Sequence, residues 1–581
     1  MADRALPAWG VVRLPDGRVR FRLWAPDHDA LALRLGDADV AMEDVGGGWF
    51  EALRDTPDGT PYQFVLSDGV AVPDPASSRQ AGDVHGPSRV ETHRYDWSAD
   101  WSGRPWHEAV ICEIHTGTFT QAGTFRAAID RLDALVESGF TAVEIMPVAQ
   151  FAGDRGWGYD GVLPYAPHPA YGSPDDLRAL VDAAHARGLM VLLDVVYNHF
   201  GPEGNYLHAY AEPFFDADRH TPWGAGIDYT KGPVRRFFIE NALYWLEEFR
   251  FDGLRLDAVD QIRDPSEPEL LEELAAEVRA RITDRPVHLT TEDNRNVAHL
   301  HEWEAGRPVL YSAEWNDDFH NAAHVLATGE AEGYYADFTD DPPGLLARSL
   351  AEGFAFQGGD RGEPSAHLPP LAFVDFLQNH DQTGNRALGE RLISLTDAET
   401  HDALTAILLL SPHIPLMFMG EDWGETRPFR FFAGFGGDLA RAVTEGRRKE
   451  FADFAAFAGH TEDVPDPIDP ATFEGSRIDW DRRESDSGQA ARQKVRALLE
   501  LRRTAIVPRL QETGGHSGMI VAARRDCLAI DWRLGDALLE LRANLSDAPS
   551  QPRPAEGSLL HVAGAAPGAP RSAAHFLKPG P

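Results

Sequence analysis

Between residues 105 and 420 the sequence alternates short apolar runs with amphipathic stretches, and does so eight times. The apolar runs are residues 110–115, 142–147, 190–197, 253–258, 287–292, 309–315, 372–379 and 414–419. Between the second and third, Ser173-Pro174-Asp175-Asp176 supplies an N-cap and a first-turn proline, and Leu177, Leu180, Val181 and Ala184 follow on one helical face. Before the fourth, residues 233–249 place Phe237, Phe238, Ala242, Leu243, Trp245, Leu246 and Phe249 at helical spacing behind Pro233. A strand followed by a crossover helix lays the next strand parallel to it. Eight such units close on themselves, so the expected fold class is α/β, a (β/α)8 barrel.

The flanks read differently. Residues 1–95 alternate as short strands, Val19-Arg-Phe-Arg-Leu-Trp24 among them, with turn signals at Gly46-Gly-Gly48 and Asp58-Gly59. They are expected to form a β-sandwich of the carbohydrate-binding kind. Residues 96–505 hold the barrel, closed by a helix over 493–503 that follows a Phe-, Gly-, Asp- and Pro-rich loop region. Residues 506–581 are expected to form a small β domain with strands at 519–522, 528–532 and 537–541. Its Ala-, Pro- and Gly-rich tail from Ala565 onward reads as mobile. A length of 581 residues accommodates three such units.

A barrel of this kind carries its chemistry at the C-terminal ends of the strands. The third run ends in Asp194-Val-Val-Tyr-Asn198-His199, the fourth carries Arg255 and Asp257, the fifth ends at Glu292, and the seventh ends in Asn379-His380-Asp381. Arg255 and Asp257 share a face because strand side chains alternate. An Arg beside an Asp is by itself equally a structural ion pair. With Glu292 and Asp381 at neighbouring strand ends it becomes a set of carboxyls suited to glycoside hydrolysis. Asp257, paired with Arg255, is the expected nucleophile. Glu292, among other carboxylates that favour its protonated form, is the expected acid/base. Asp381, His199 and His380 can hydrogen-bond sugar hydroxyls. A His/Asp/Glu cluster also suits a metal, but neither His199 nor His380 belongs to a His-x-x-x-His spacing. The aromatics Trp157, Tyr159, Phe200, Tyr206, Trp223, Trp315, Phe319 and Trp423 fall in the same regions. Each singly reads as packing; together they suit sugar rings.

Composition excludes other classes. Lys plus Arg number 54 against 92 Asp plus Glu, a net charge of −38, which repels nucleic acid. Cys112 and Cys527 are the only cysteines, so neither a disulfide framework nor a Cys-based metal site is expected, and a reducing, cytoplasmic setting fits. The N-terminus lacks an apolar signal core. The most apolar run, 404–420, is broken by Pro412, His413 and Pro415 and reads as a buried helix and a strand rather than a membrane span.

At the segments just quoted the chain resembles the α-amylase superfamily of glycoside hydrolases. Longer segments resemble, within it, the malto-oligosyltrehalose trehalohydrolase family: Glu113-Ile-His-Thr-Gly-Thr-Phe119, Trp157-Gly-Tyr-Asp-Gly161, Asn198-His-Phe-Gly-Pro-Glu-Gly-Asn205, Asn316-Asp-Asp-Phe-His320 and Phe376 to Arg386. Gly446 to Phe451 and Val464 to Pro467 add to the likeness. The resemblance implies Asp257 as nucleophile, Glu292 as acid/base and Asp381 as transition-state stabiliser. Arg255, His199 and His380 bind the −1 sugar, and Tyr159 stacks on it. Trp157, Asn198, Asp317 and Asn379 stand in the matching segments and are expected to line the same site. The implied reaction is retaining cleavage of the α-1,4 bond between a maltooligosyl chain and its terminal trehalose, without a cofactor and without calcium. The implied partners are maltooligosyltrehalose and related α-glucans. Asp260, where a His is expected, and Phe432-Ala-Gly-Phe-Gly-Gly437 depart from the pattern and bear on the leaving-group side. A glycogen branching or debranching enzyme, and a non-catalytic saccharide-binding protein, are the competing readings.

Overall fold

The structure, a computed structural model, describes residues 6–221, 224–358, 361–452, 463–550 and 553–580. Trp223 lies outside them. Eight parallel strands close a barrel: β1 (Ile111–Ile114), β2 (Ala142–Ile145), β3 (Met190–Val195), β4 (Gly253–Leu256), β5 (His288–Thr291), β6 (Ala313–Trp315), β7 (Phe373–Phe376) and β8 (Ile414–Phe418). The ring shuts where β1 pairs with β8, Ile111 opposite Leu416 and Glu113 opposite Phe418. Every residue of these strands is buried, as expected where side chains fill the barrel inside and helices cover it outside. Gly253 opens β4 because a side chain has no room there: a Cβ would stand 2.0 Å from the His288 carbonyl oxygen on β5.

The helices follow from local chemistry. Helix Pro174–His185 starts in a capping box between Ser173 and Asp176, with proline in its first turn. Helix Gly232–Glu248 buries Phe237, Phe238, Trp245 and Leu246 against the barrel. Helix Ala398–Leu410 is apolar nearly all round and buried nearly throughout, and it leads into β8, as expected for 404–420. Among the described residues no helix is long and apolar enough to cross a membrane. The sixth strand is shorter than the expected 309–315. Only Ala313–Trp315 joins the barrel; Val309 is 43% exposed, and its N–H bonds back to Glu302 beside the hairpin Trp303–Glu304/Arg307–Pro308.

The N-terminal segment forms two antiparallel sheets. One joins Val12–Arg13, Val19–Trp24, Trp49–Arg54 and Glu43–Gly46; the other joins Ala38–Ala41, Ala32–Leu35, Pro61–Val65 and Ala71–Val72. Phe21, Leu23, Leu33, Phe50, Tyr62 and Phe64 are buried there. Polar bonds tie this unit to the barrel: Glu240 accepts from the backbone N–H groups of Ala8 and Trp9, and Arg178 pairs with Glu91.

The C-terminal unit is a five-stranded antiparallel sheet in the order Gly518–Arg524, Cys527–Leu534, Ala537–Asn544, Ser572–Pro579, Ser558–Ala563. The expectation of a mobile tail after Ala565 is overturned here. Ser572–Pro579 is hydrogen-bonded on both sides, and Ala573 and Ala574 are fully buried. Alanines weaken the intrinsic strand signal, and the tertiary packing of small residues supplies what propensity does not. The indole of Trp532 fastens the sheet to helix Pro342–Glu352 through the Leu350 carbonyl at 2.9 Å.

Candidate active site

Arg255 lies on β4, fully buried, with its guanidinium 4.2 Å from the ring centre of Trp315 on β6. Nη1 donates to Asp194 Oδ2 at 2.8 Å and to Asp257 Oδ1 at 2.9 Å; Nη2 donates to Glu292 Oε2 at 2.7 Å. One planar cation thus gathers carboxyls from the ends of β3, β4 and β5, the geometry an arginine fork provides and a lysine does not. Burial works against its charge, and Asp194 and Glu292 outweigh burial, holding its pKa well above the ordinary value.

The chain turns sharply after Asp257. Ala258 has φ 41° and ψ 53°, a left-handed conformation costly for a residue with a side chain. The turn aims its N–H at Glu292 Oε2, 3.0 Å away. Asn198 Nδ2 holds Asp257 from the other side, donating to Oδ2 at 3.0 Å and to its carbonyl at 2.7 Å. Burial raises the pKa of Glu292, Asp257 adds to the rise, and Arg255 opposes it.

Beyond β7, Asn379 spends its side chain as a helix cap, accepting from the N–H groups of Asp381 and Gln382. The short helix His380–Gly384 so capped presents His380 and Asp381. His380 Nε2 donates to the Tyr159 hydroxyl at 2.7 Å, and that hydroxyl donates to Asp194 Oδ2 at 2.6 Å. Tyr159 also stacks on the imidazole, ring centres 5.1 Å apart. Tyr159 reaches this place because Gly158 precedes it at φ 107°, where a Cβ would stand 2.0 Å from the Pro147 carbonyl. Burial disfavours charge on His380, but Glu113 and Asp381 raise its pKa to about 10. Burial lifts Asp194 to about 7 and also raises Asp381; His199, buried, is pulled down to about 4. His199 Nε2 meets the Tyr159 carbonyl at 3.0 Å, and Nδ1 meets Asn198.

Asp257, Glu292, Asp381, Arg255, His199, His380, Tyr159 and Asn198 therefore converge. Asp317 opens the helix Asp317–Thr328 and joins the site's edge through Gln382, which donates to it at 3.0 Å; burial and Glu292 push its carboxyl well up. Trp157 is only 5% exposed, its ring stacked on Phe429 and its edge toward His380, so it backs the site. Phe200, Phe319 and Trp423 are core residues rather than open ring faces, and Trp315 lies beneath Arg255. Asp260 is buried and takes the Gln261 amide. The 432–437 segment bridges to Gly156 through Ala433 and borders the Trp157 loop.

Beside Glu292 a cleft of about 590 Å³ opens, lined by Asn294, Arg295, Asp317, Tyr334 and Arg361 among others. Tyr334 and Arg361 come from connections far from the strand-end motifs, and local patterning carries no signal for them. Glu91, His93 and Asp175 bring ligand atoms within 4.8 Å of one another at the sandwich seam, but Arg79 and Arg178 already pair with Glu91 and Asp175 there, which makes the group an ion-pair network.

Residues 113–221 match the family model described as alpha amylase, catalytic domain. The chain is 42% identical to the malto-oligosyltrehalose trehalohydrolase of Deinococcus radiodurans over 532 residues, 89% of this chain and 87% of that protein. It is 40% identical to the protein of the same name from Saccharolobus solfataricus, over 81% of this chain and 83% of that one. A 1,4-alpha-glucan branching enzyme of Mycolicibacterium paratuberculosis matches at 35% over only 43% of the chain and 38% of its own length. Among solved structures, a Salmonella typhimurium protein assigned to the alpha amylases superposes with a TM-score of 0.96 at 51% identity, covering 99% of this chain and all of that one. The chain belongs to the malto-oligosyltrehalose trehalohydrolase family of α-amylase-type glycoside hydrolases.

Proposed function

We propose that the chain hydrolyses the α-1,4 bond that joins a maltooligosyl chain to its terminal trehalose, with retention of configuration. The observation that carries the chemistry is the single Arg255 guanidinium bonded to both Asp257 and Glu292. It makes the two carboxyls neighbours, as the about 5–5.5 Å spacing of retaining pairs requires. The family supplies the choice of substrate.

Asp257, fixed by Arg255 and Asn198, attacks C1 of the last glucose of the maltooligosyl part. Glu292, whose raised pKa keeps a proton available, gives it to O4 of the departing trehalose. The C1–O4 bond breaks as the C1–Oδ bond forms. Glu292, now ionised, takes a proton from water, which attacks C1 and releases Asp257. Asp381 borders the same sugar and stabilises the positive charge that develops in the ring, while the His380 imidazolium donates a hydrogen bond to the sugar's hydroxyls. Arg255 holds both carboxyls in register through both steps. The leaving group departs on the Glu292 side, where the cleft of about 590 Å³ has room for a disaccharide. The buried, unpaired Cys112 and Cys527 fit a cytoplasmic setting.

The test is incubation with maltotriosyltrehalose and, separately, maltopentaose, with Glu292→Gln as control. Trehalose from the first, little turnover of the second and an inactive variant are expected. Equal cleavage of both, or new α-1,6 branches, moves the assignment to a general amylolytic or branching enzyme.

A further inference from the structure

Glu113 stands on β1 inside the barrel and is 1% exposed. Both its oxygens point at one residue of the short helix after β7: Oε2 accepts from the His380 backbone N–H at 3.0 Å, and Oε1 accepts from His380 Nδ1. No sugar can reach it there. From His380 the bonds continue to the Tyr159 hydroxyl, to Asp194, to Arg255, and so to Asp257 and Glu292. The chain begins at Glu113 and ends at the two reacting carboxyls.

We propose that Glu113 is a positioning residue for the hydrolysis, anchoring this hydrogen-bonded chain by gripping His380 at Nδ1 and at its backbone so that Nε2 is fixed against Tyr159 and Asp381. The inference rests on the reading of His380 as a group that borders the −1 sugar. The rings around His380 limit its tilt, with Tyr159 stacked on it and Trp157 set edge-on at 5.7 Å, but neither ring chooses which nitrogen carries a proton. Glu113 does, because a carboxylate at Nδ1 requires a hydrogen there and its charge favours the imidazolium, in which Nε2 carries a hydrogen as well and gives it to Tyr159.

The other charged and titratable groups facing this imidazole do not replace Glu113. His115, after β1, is held neutral by burial, its pKa down to about 3. Glu144, opposite Glu113 on β2, is buried with neither oxygen bonded, and burial pushes its pKa well up. Tyr159 is likewise pushed up by burial. Asp194 on β3 bonds Tyr159 and Arg255 instead, Arg255 on β4 opposes a second cation, and Glu292 after β5 is held by Arg255. Asp381, on the same helix as His380, lies 3.5 Å from Nε2 and does not approach Nδ1.

The experiment compares Glu113→Gln, His380→Asn and the double variant on maltotriosyltrehalose across pH 5 to 10, with thermal midpoints as fold control. A glutamine keeps one acceptor for the backbone N–H but sets an N–H2 against Nδ1–H, so the imidazolium loses its partner. His380→Asn is expected to lower kcat on the order of 10²- to 10³-fold. Glu113→Gln is expected to lower kcat by about tenfold or more with a smaller change in KM, and to move the NMR titration of the His380 ring protons down by about one pH unit or more. In the His380→Asn background the same change is expected to cost little, since coupled residues are not additive. Equal fold losses in both backgrounds, or an unmoved His380 titration in a folded Glu113→Gln, overturn the proposal and leave His380's own role standing. Near-full activity of His380→Asn overturns that role and the proposal with it. Should Glu113→Gln not fold, the His380 ring protons of the wild-type protein, assigned by their loss in His380→Asn, decide by NMR: titration near pH 6.5 overturns the proposal, and a cation persisting at pH 8 supports it.

Discussion

Replacing Glu292 by Gln removes a titratable proton and little else. Oε2 accepts from Arg255 Nη2 at 2.7 Å and from the Ala258 N–H at 3.0 Å, and a glutamine carbonyl oxygen can keep both bonds. The fold and the Asp257 side of the site should survive intact. What disappears is general acid catalysis of trehalose departure and general base catalysis of water attack, worth 10²- to 10⁴-fold, or about 3–5 kcal/mol of barrier. A sugar alkoxide is a poor leaving group, so the loss on maltotriosyltrehalose should lie toward the upper end. An α-maltosyl fluoride needs no proton to leave. With it, Glu292→Gln should form the glycosyl-enzyme in a burst near the wild-type rate and then stall. Azide, which attacks without a base, should release it as the α-glycosyl azide. Asp257→Ala, lacking the nucleophile, should show no burst and give the opposite anomer. The pH profile follows from the same group. Burial raises the Glu292 pKa above its usual 4.5, so wild-type activity should fall as pH rises through that higher value, and this alkaline limb should be missing from the burst with fluoride in the variant. A Glu292→Gln variant within tenfold of wild type on maltotriosyltrehalose, or one equally impaired on the fluoride, would refute the assignment.

Arg255→Lys should lower kcat/KM on the order of 10²- to 10³-fold with the fold retained, because one ammonium cannot span Asp194, Asp257 and Glu292; steady-state kinetics beside circular dichroism checks this. Gly253→Ala should lose about 4 kcal/mol or more, or fail to accumulate as soluble protein, since its Cβ would meet the His288 carbonyl at 2.0 Å and Leu192 Cδ2 at 2.8 Å; a normal thermal midpoint would count against the close packing of β4 on β5. Asp74, buried in the sandwich and bonded to the Tyr62 hydroxyl at 2.8 Å, has its pKa raised by burial from 3.8 to about 6. A carboxyl raised in the folded state stabilises below its unfolded pKa, and that contribution is lost as pH rises through the folded one. Asp74→Asn should therefore gain on wild type by roughly 3 kcal/mol between pH 4 and pH 7 and hold a constant difference above. Urea midpoints measured across that range test it, and a difference independent of pH would refute it.

The barrel was legible because strand and helix periods alternate over a long stretch, and because Asp194, Arg255, Asp257, Glu292 and Asp381 stand at run ends, where a parallel barrel places its chemistry. Strand lengths were less so: the start of the sixth run is as apolar as its end, and only the sheet decides that Val309 stays outside. Side-chain roles were partly hidden. Asn379 reads in sequence as a sugar ligand, and nothing local shows that its side chain also caps a helix; Trp157 reads as a stacking residue, and nothing local shows that its ring packs on Phe429. Tyr334 and Arg361 border the cleft from connections whose position depends on the closed barrel. Glu113 sat in a segment that marked the family, but nothing local tells that its partner is a histidine beyond β7.

The seam between β1 and β8 sets a clock on the site. Glu113 and His380 are 267 residues apart in the chain; Asp257 and Glu292 stand at the ends of paired neighbours, β4 and β5, but Glu113 meets His380 only after the first and last staves have zipped. Closing so long a loop is slow, and until it happens β1 presents a bare edge to other chains. The catalytic centre should accordingly be among the last features to appear on refolding, well after secondary structure. Recovered hydrolysis would then time ring closure, while light scattering over the same interval would count the molecules that met a neighbour first.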